Sequence, residues 1–365
     1  MGSVTLDTKT YTYDALEKNY SQFHSPAFQV LINGQAIDKS QISVSEIVVY
    51  NSVEAEADTV EFIVNNSFDR VKSEFKWVDQ FFTLGKDLEI KLGYGDKLTT
   101  VFVGKITRIE YSLPANSSPL IHVRGMDITF QMMKFKNTSS WKNKKSSDIV
   151  KTIGAKFSDK VVADDTTESF TEKTFVKMSD FEVIKYLAEL ENREFFVVGK
   201  TVYFRKFFKS TTPMITLTYG KNLINLNIQS DLYHQVSKVI ITSWDELQNK
   251  KIESTVSSYT KLGTNSKTGI DMVKQMGDFI DYYESNVHSA AHAKTSGESK
   301  LQRKGNLLVH GQGEIRGLPE FRAGKFIKLD GLGKKLNQVY YLKKVIHKIS
   351  KSGYITQFVL GGNAV

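Results

Sequence analysis

His288 and His292 stand four residues apart, the spacing at which one helix face presents two imidazoles to a zinc ion. Position 289 is Ser where the peptidase form of that arrangement needs a Glu as general base, and the chain has no Cys to complete a ligand set. The pair therefore reads as two solvated helix histidines. Gly317 to Phe326 has the look of a phosphate loop, but Gly317 and Gly324 lie two residues too far apart, and Phe326 occupies the place of the magnesium-binding Ser or Thr. A β-turn between strands fits it better. Gly311, Gly313 and Gly317 miss the dinucleotide fingerprint by one residue and follow no parallel-sheet pattern. There is no G-x-S-x-G elbow. Carboxylate pairs remain the one enzymatic option, and nothing in the placement of 40 acidic residues singles out a pair. The chain reads as non-enzymatic, with no catalytic residue, cofactor or metal.

Charge is more informative. Between Lys134 and Lys160, Lys occurs at 134, 136, 142, 144, 145, 151, 156 and 160 against only Asp148 and Asp159, with Trp141 and Phe157 interleaved. From Phe321 to Lys351, nine Lys or Arg meet only Asp330. Such runs suit an acidic partner or a groove for nucleic acid, or are solvated strand and helix faces. The formal charge of +9 points the same way.

The elements that must carry these residues are mostly strands. With 365 residues, 40% hydrophobic and 24% charged, the composition is that of an ordinary globular chain of two or three units. No apolar run approaches the roughly 20 residues of a membrane helix. The opening Met1 to Thr5 has no secretory character, which points to residence in the cytoplasm and exit by lysis. Ala27 to Ile32 alternates into Asn33-Gly34, a strong hairpin signal. Leu88, Ile90 and Leu92 alternate into a Gly93 to Asp96 turn, and the chain returns through Val101 and Val103. Gly104 in that return suggests a bulge or barrel corner, because glycine tolerates the bend and lets another backbone come close. Ser147-Asp148 can cap a helix ending at Gly154, and Ser179 with Glu182 forms a capping box ahead of Phe181, Ile184, Leu187 and Leu190. Residues 245 to 269, rich in Ser, Thr, Lys and Asn, read as a mobile loop. Residues 270 to 303 read as partly helical, with Val287, Ala290 and Ala291 as a thin apolar stripe. The last sixty residues return to strands.

The order of these pieces resembles the baseplate hub family of contractile phage tails, the late control protein D family, which is related to the N-terminal hub part of the type VI secretion valine-glycine repeat spikes. The resemblance is carried by Phe28 to Ile37 with its Asn33-Gly34 turn, and by Val101 to Ile109 followed by Leu120 to Asp127. It continues through Ser179 to Phe204 and ends with Gly317 to Phe358, including Gly324, Tyr341, Val345 and His347. It implies a β-rich α+β fold: two similar antiparallel β-barrels with a small inserted α+β domain and a helical or loop insertion. The divisions would be 1–133 (first barrel), 134–208 (inserted domain) and 209–365 (second barrel, insertion at about 245–303). Asn33, Gly34, Gly104, Asp127, Gly317 and Gly324 would be structural motif residues, and Lys142, Lys144 and Lys145 would face a lumen or partner. The resemblance further implies a homotrimeric symmetry adaptor joining a hexameric tail tube to a trimeric central spike. Other baseplate proteins, and DNA in the lumen, would be further partners, and no lipid membrane would be entered. Such a particle, a phage tail or an R-type bacteriocin, is assembled in the host bacterial cytoplasm and released by lysis. Stopping after the second barrel, the chain would leave the spike to a separate protein. A tail-associated wall hydrolase and a basic nucleic-acid-binding barrel protein are the alternatives.

Overall fold

The protein is represented by a computed structural model that describes residues 6, 8–37, 42–208, 210–245, 248–263, 267–285, 287 and 289–365. Helix α1 (Tyr13–Asn19) precedes β1 (Pro26–Ile32), β2 (Gln35–Ala36), β3 (Ser43–Ser52), β4 (Thr59–Asn65), β5 (Phe68–Asp69), β6 (Glu74–Phe75), β7 (Asp87–Tyr94), β8 (Lys97–Ser112) and β9 (Leu120–Met126). The chain continues through α2 (Thr129–Met132), β10 (Lys136–Lys145), α3 (Ser146–Gly154), β11 (Lys160–Ala163), β12 (Ser169–Ser179), α4 (Asp180–Leu190), β13 (Arg193–Val198) and β14 (Thr201–Lys206). It ends with β15 (Pro213–Thr218), β16 (Asn225–Ser230), β17 (Lys238–Asp245), β18 (Lys250–Val256), α5 (Gly269–Val273), β19 (Ile280–Glu284), α6 (Ala290–Gly305), β20 (Val309–Arg316), β21 (Phe326–Asp330), β22 (Val339–Ser350) and β23 (Gly353–Gly362). The class is β-rich α+β, as expected.

Alternation builds the strands. Leu88, Ile90 and Leu92 of β7 and Val60, Phe62 and Val64 of β4 point into one core, while the residues between them lie on the opposite face, where Glu61, Ile63 and Lys91 are half-buried and Glu89 is buried. Asn33 (φ 49°) and Gly34 (φ 79°) both take left-handed geometry in the two-residue β1–β2 turn, which matches strand twist and suits these two residue types.

Thirteen strands share one sheet, ordered β16-β20-β23-β22-β3-β4-β9-β8-β7-β1-β2, with β21 and β15 branching from β22. Two five-strand arcs within it repeat each other: β3-β4-β9-β8-β7 and β16-β20-β23-β22-β21 have the same chain order, the same neighbours and antiparallel pairing throughout. The repeat reaches individual residues. A bulge inserts Thr107 between the pairs Ile106–Gly125 and Arg108–Arg124, and another inserts Lys343 between Leu342–Leu360 and Lys344–Val359. Ile106 bonds to Lys86 O and receives Gly85 N, just as Leu342 bonds to Lys325 O and receives Gly324 N, all at 2.8–2.9 Å. The arcs differ at the sixth strand, where β1 meets β7 antiparallel but β15 meets β21 parallel. They are fused by β22 pairing with β3, so the two barrel-like halves share one sheet and one core.

Between the arcs lie the β10–β12 ribbon, the sheet β11-β14-β13 and helices α3 and α4, which share a second apolar core with the sheet β18-β17-β19 and α6. Ser179 and Glu182 make the capping box of α4. Helix α3 starts two residues earlier than expected, at Ser146 with Lys145 in the cap position. Ser147 caps nothing there; its hydroxyl reaches Asp165, and its N–H donates to Thr166 Oγ1.

The loop expected over 245–269 contains a strand, β18, because Ile252 and Val256 bury one face against β17 and offset the polar residues between them. The stripe on α6 is also different. Ala290 and Ala291 are exposed, and the buried face is His292, Ala293, Ser296 and Gly297. A side chain at Gly297 would meet Val256 at 2.8 Å, so glycine is what lets the helix lie close on β17 and β18.

Candidate functional site

Three features of the molecule go beyond a plain apolar core. The first is a buried polar joint where the two arcs and the intervening unit meet. Asp58 opens β4 and Asp127 follows β9, each carrying a carboxylate into the interior. Asp127 accepts from Thr129 N (2.9 Å), the Thr129 hydroxyl (2.5 Å) and Asp58 N (3.2 Å). Asp58 accepts from Ser52 N (3.0 Å), Asn51 Nδ2 (3.1 Å) and the Arg322 guanidinium. Arg322 also donates to Val101 O (3.3 Å) in β8 and Val197 O (3.1 Å) in β13, so one side chain ties both arcs to the inserted strands. Burial pushes the Asp58 carboxyl up while Arg322 and the N–H donors pull it back. Asp127 is raised to about 7, first by burial and then by the neighbouring Asp58 charge.

His347, on β22 beside this joint, is held down to about 3 by burial, with Arg322 adding repulsion. Burial keeps it neutral; because Phe321 O can only accept, Nε2 carries the proton (3.0 Å), which leaves Nδ1 to accept from the Tyr354 and Thr356 hydroxyls. An Asp, Arg and His together invite a catalytic reading. The adjoining cavity, however, is only about 60 Å³, room for little more than water.

The second feature fastens the inserted sheet to β22. Arg205 donates to Glu194 (3.0 Å), Gly324 O (2.7 Å) and the Tyr341 hydroxyl (3.2 Å), and Tyr341 donates to Glu194. Burial raises Glu194 and Tyr341 in this cluster. Gly324 has φ 91°, and Arg205 lies 3.2 Å from where its side chain would begin. At Gly317 an added Cβ would fall 2.0 Å from the Tyr354 ring, and at Gly104 it would fall 2.2 Å from Met126 O. Gly104 therefore serves close backbone approach; the bulges of β8 lie three residues to either side, at Val101 and Thr107.

The third feature is the polar face of the joined sheet, a groove of about 510 Å³ spanning both arcs. Cross-strand partners line up there: Lys348, Val48, Glu61, Arg124 and Arg108 in one row, and Ser350, Glu46, Ile63, His122 and Glu110 in the next. Opposite charges meet along it, as Lys348–Glu46 (2.9 Å), Arg124–Glu61 (2.6 Å) and Arg108–Glu110 (2.8 Å). The face is polar and close to neutral. Neither charge row was visible in the sequence, because each gathers residues from five strands.

The lysine runs do not gather into one basic face. Lys142, Lys144 and Lys145 lie on β10, where Lys142 meets Glu172 (3.5 Å), Lys145 meets Asp165 (3.7 Å) and Lys144 is exposed. In the second run Arg322 and Lys325 are buried, while Lys344 pairs with Glu54 and Glu56. His292 is buried rather than solvated, 3.4 Å from Glu191 and against Phe170; His288 lies outside the described residues. Gly311 and Gly313 are strand residues of β20 rather than part of a nucleotide loop. Among the described residues, no group of three or more His, Cys, Asp or Glu could hold a metal ion, and no helix is long and apolar enough to cross a membrane.

The fold is shared with tail proteins. The 43 kDa tail protein of prophage MuSo2 from Shewanella oneidensis superposes with a TM-score of 0.71 at 14% identity, covering 92% of this chain and 98% of that one. A tail protein from Neisseria meningitidis gives 0.69 at 11%, covering 93% and 97%. An E. coli type VI secretion component, described as structurally similar to the T4 bacteriophage tail proteins gp27 and gp5, gives 0.58 at 12%, covering 92% and 76%. At these identities the likeness is one of fold, and it bears out the resemblance to baseplate hub proteins at that level. No curated protein matches the sequence significantly. Residues 23–351 match the model described as the Alg8 N-terminal domain, and the chain belongs to that family.

Proposed function

We propose that the chain is a non-enzymatic hub of a contractile tail or tail-like particle, a homotrimeric adaptor between a six-fold tube and a three-fold spike. The observation that carries this reading is the repeated arc: one chain supplies two alike modules already joined edge to edge, so three chains supply six. The fold shared with phage tail proteins and a type VI secretion component supports it. In this reading 1–133 and 209–365 are the paired modules, 134–208 is an inserted domain, and the insertion at about 245–303 decorates the second module. The neutral polar groove faces the lumen, where self-paired charges let a passing polymer slide without sticking. Lys142, Lys144 and Lys145 face the lumen or an acidic partner. Tube, spike and other baseplate proteins are the partners, and the particle's baseplate is the location.

The test is the mass in solution, alone and with candidate tube and spike proteins. The expected species is about 124 kDa, three times the 41.3 kDa chain. A monomer that persists with those partners present, or clearing of purified cell wall by the chain, overturns the reading.

A further inference from the structure

We infer that the ring is closed by β8 of one chain pairing antiparallel with β16 of the next, in the register of the internal β22–β3 joint. This rests on the hub reading and names the surface it needs. By the strand registers, β8 in the first arc corresponds to β22 in the second, and β16 corresponds to β3. Within the chain, the end of β22 pairs with β3. The corresponding edges carry no strand partner among the described residues: β16 pairs only with β20, and β8 beyond Arg108 pairs only with β9. Each chain thus offers one unfilled copy of each side of a joint it already makes once. A head-to-tail contact of that kind propagates around a ring.

The side chains agree with the register. The internal pairs Lys344–Ser52, His347–Val49 and Ile349–Ile47 translate to Arg108–Asp231, Tyr111–Ile228 and Leu113–Leu226 between chains. The last two internal pairs are fully buried, whereas Tyr111 is 43% and Leu113 64% exposed, and Leu226 and Ile228 are half-buried on the core side of their strand. These apolar groups would find cover in each other. Arg108 and Asp231 bring opposite charges to the rim of the same joint.

The chain has no Cys, so engineered thiols report the contact cleanly. Tyr111 and Ile228 lie seven strand steps apart in one sheet, which leaves bond formation between chains as the route. Under a mild disulfide oxidant, Y111C/I228C is expected to give a covalent trimer, and Y111C/S230C, two positions out of register, at least tenfold less. R108D or D231R alone is expected to weaken trimer association at least tenfold, and R108D/D231R to restore it. A 124 kDa species whose 111 and 228 thiols stay unlinked overturns this joint and leaves the hub reading standing. A chain that neither assembles nor cross-links at high concentration overturns both.

Discussion

Arg322 and Asp58 are 264 positions apart in the chain and form a buried ion pair that joins the second arc to the first. Because Arg322 also holds carbonyls of β8 and β13, its loss strands a buried carboxylate and two unpaired acceptors. R322M is expected to destabilise the chain by about 3–5 kcal/mol. R322M/D58N should cost clearly less than the two single changes added together. Urea unfolding of the four chains measures both, and strict additivity would count against a direct pair.

The pH dependence of stability is expected to contain two opposed limbs. Asp127 keeps its proton in the folded state up to about 7, so its contribution is present below the ordinary carboxylate value and lost as pH rises through about 7. His347, held to about 3, contributes above the ordinary imidazole value and loses that as pH falls toward 3. Between about pH 4 and 6.5 the two trends oppose each other. D127N removes the falling limb, so its melting temperature should climb more steeply over that range than that of the parent. Parallel curves would refute the assignment.

Glycine positions should separate by cause. G104A drives a methyl into Met126 O and is expected to cost about 1–3 kcal/mol. G34N replaces a left-handed turn glycine that has open space around it with the residue type that best tolerates that geometry, and should cost about 1 kcal/mol or less. Thermal melts of the two variants decide it.

Reversing Lys142, Lys144 and Lys145 to Glu together is expected to leave particles intact and slow genome ejection, because the pairs with Glu172 and Asp165 are exposed and each contributes about 1 kcal/mol or less to the fold. Ejection kinetics of particles carrying the triple variant test this. An unchanged rate would remove these lysines from the lumen.

Local signals carried well from sequence to structure. The Asn33-Gly34 turn, the alternation at Leu88, Ile90 and Leu92 and the Ser179/Glu182 capping box each depend on residues within a few positions of one another. What stayed hidden is non-local. The β22–β3 joint pairs Ile349 with Ile47, and no window of sequence contains both. Which charges lie inside, such as Arg322, Arg205 and Glu194, depends on partners over a hundred residues away, so a basic run looked like a surface. His292 looks solvated in the sequence for the same reason, since Phe170 and Glu191, which pack against it, lie more than a hundred positions earlier. The repeat did leave one trace, the Gly-Lys pairs at 85–86 and 324–325. Two residues are too few to find without the pairing that surrounds them.

The extra residues Thr107 and Lys343 set the parity of everything after them, since side chains on a strand alternate and one added position exchanges inside for outside. Deleting Lys343 would turn the far end of β22 over, sending His347 to water and Lys348 to the interior, and deleting Thr107 would turn Ile109 and Tyr111 away from the core side of β8. A change of length between either bulge and the end of its strand therefore keeps every side chain on its own face only in steps of two, a constraint the connections do not share.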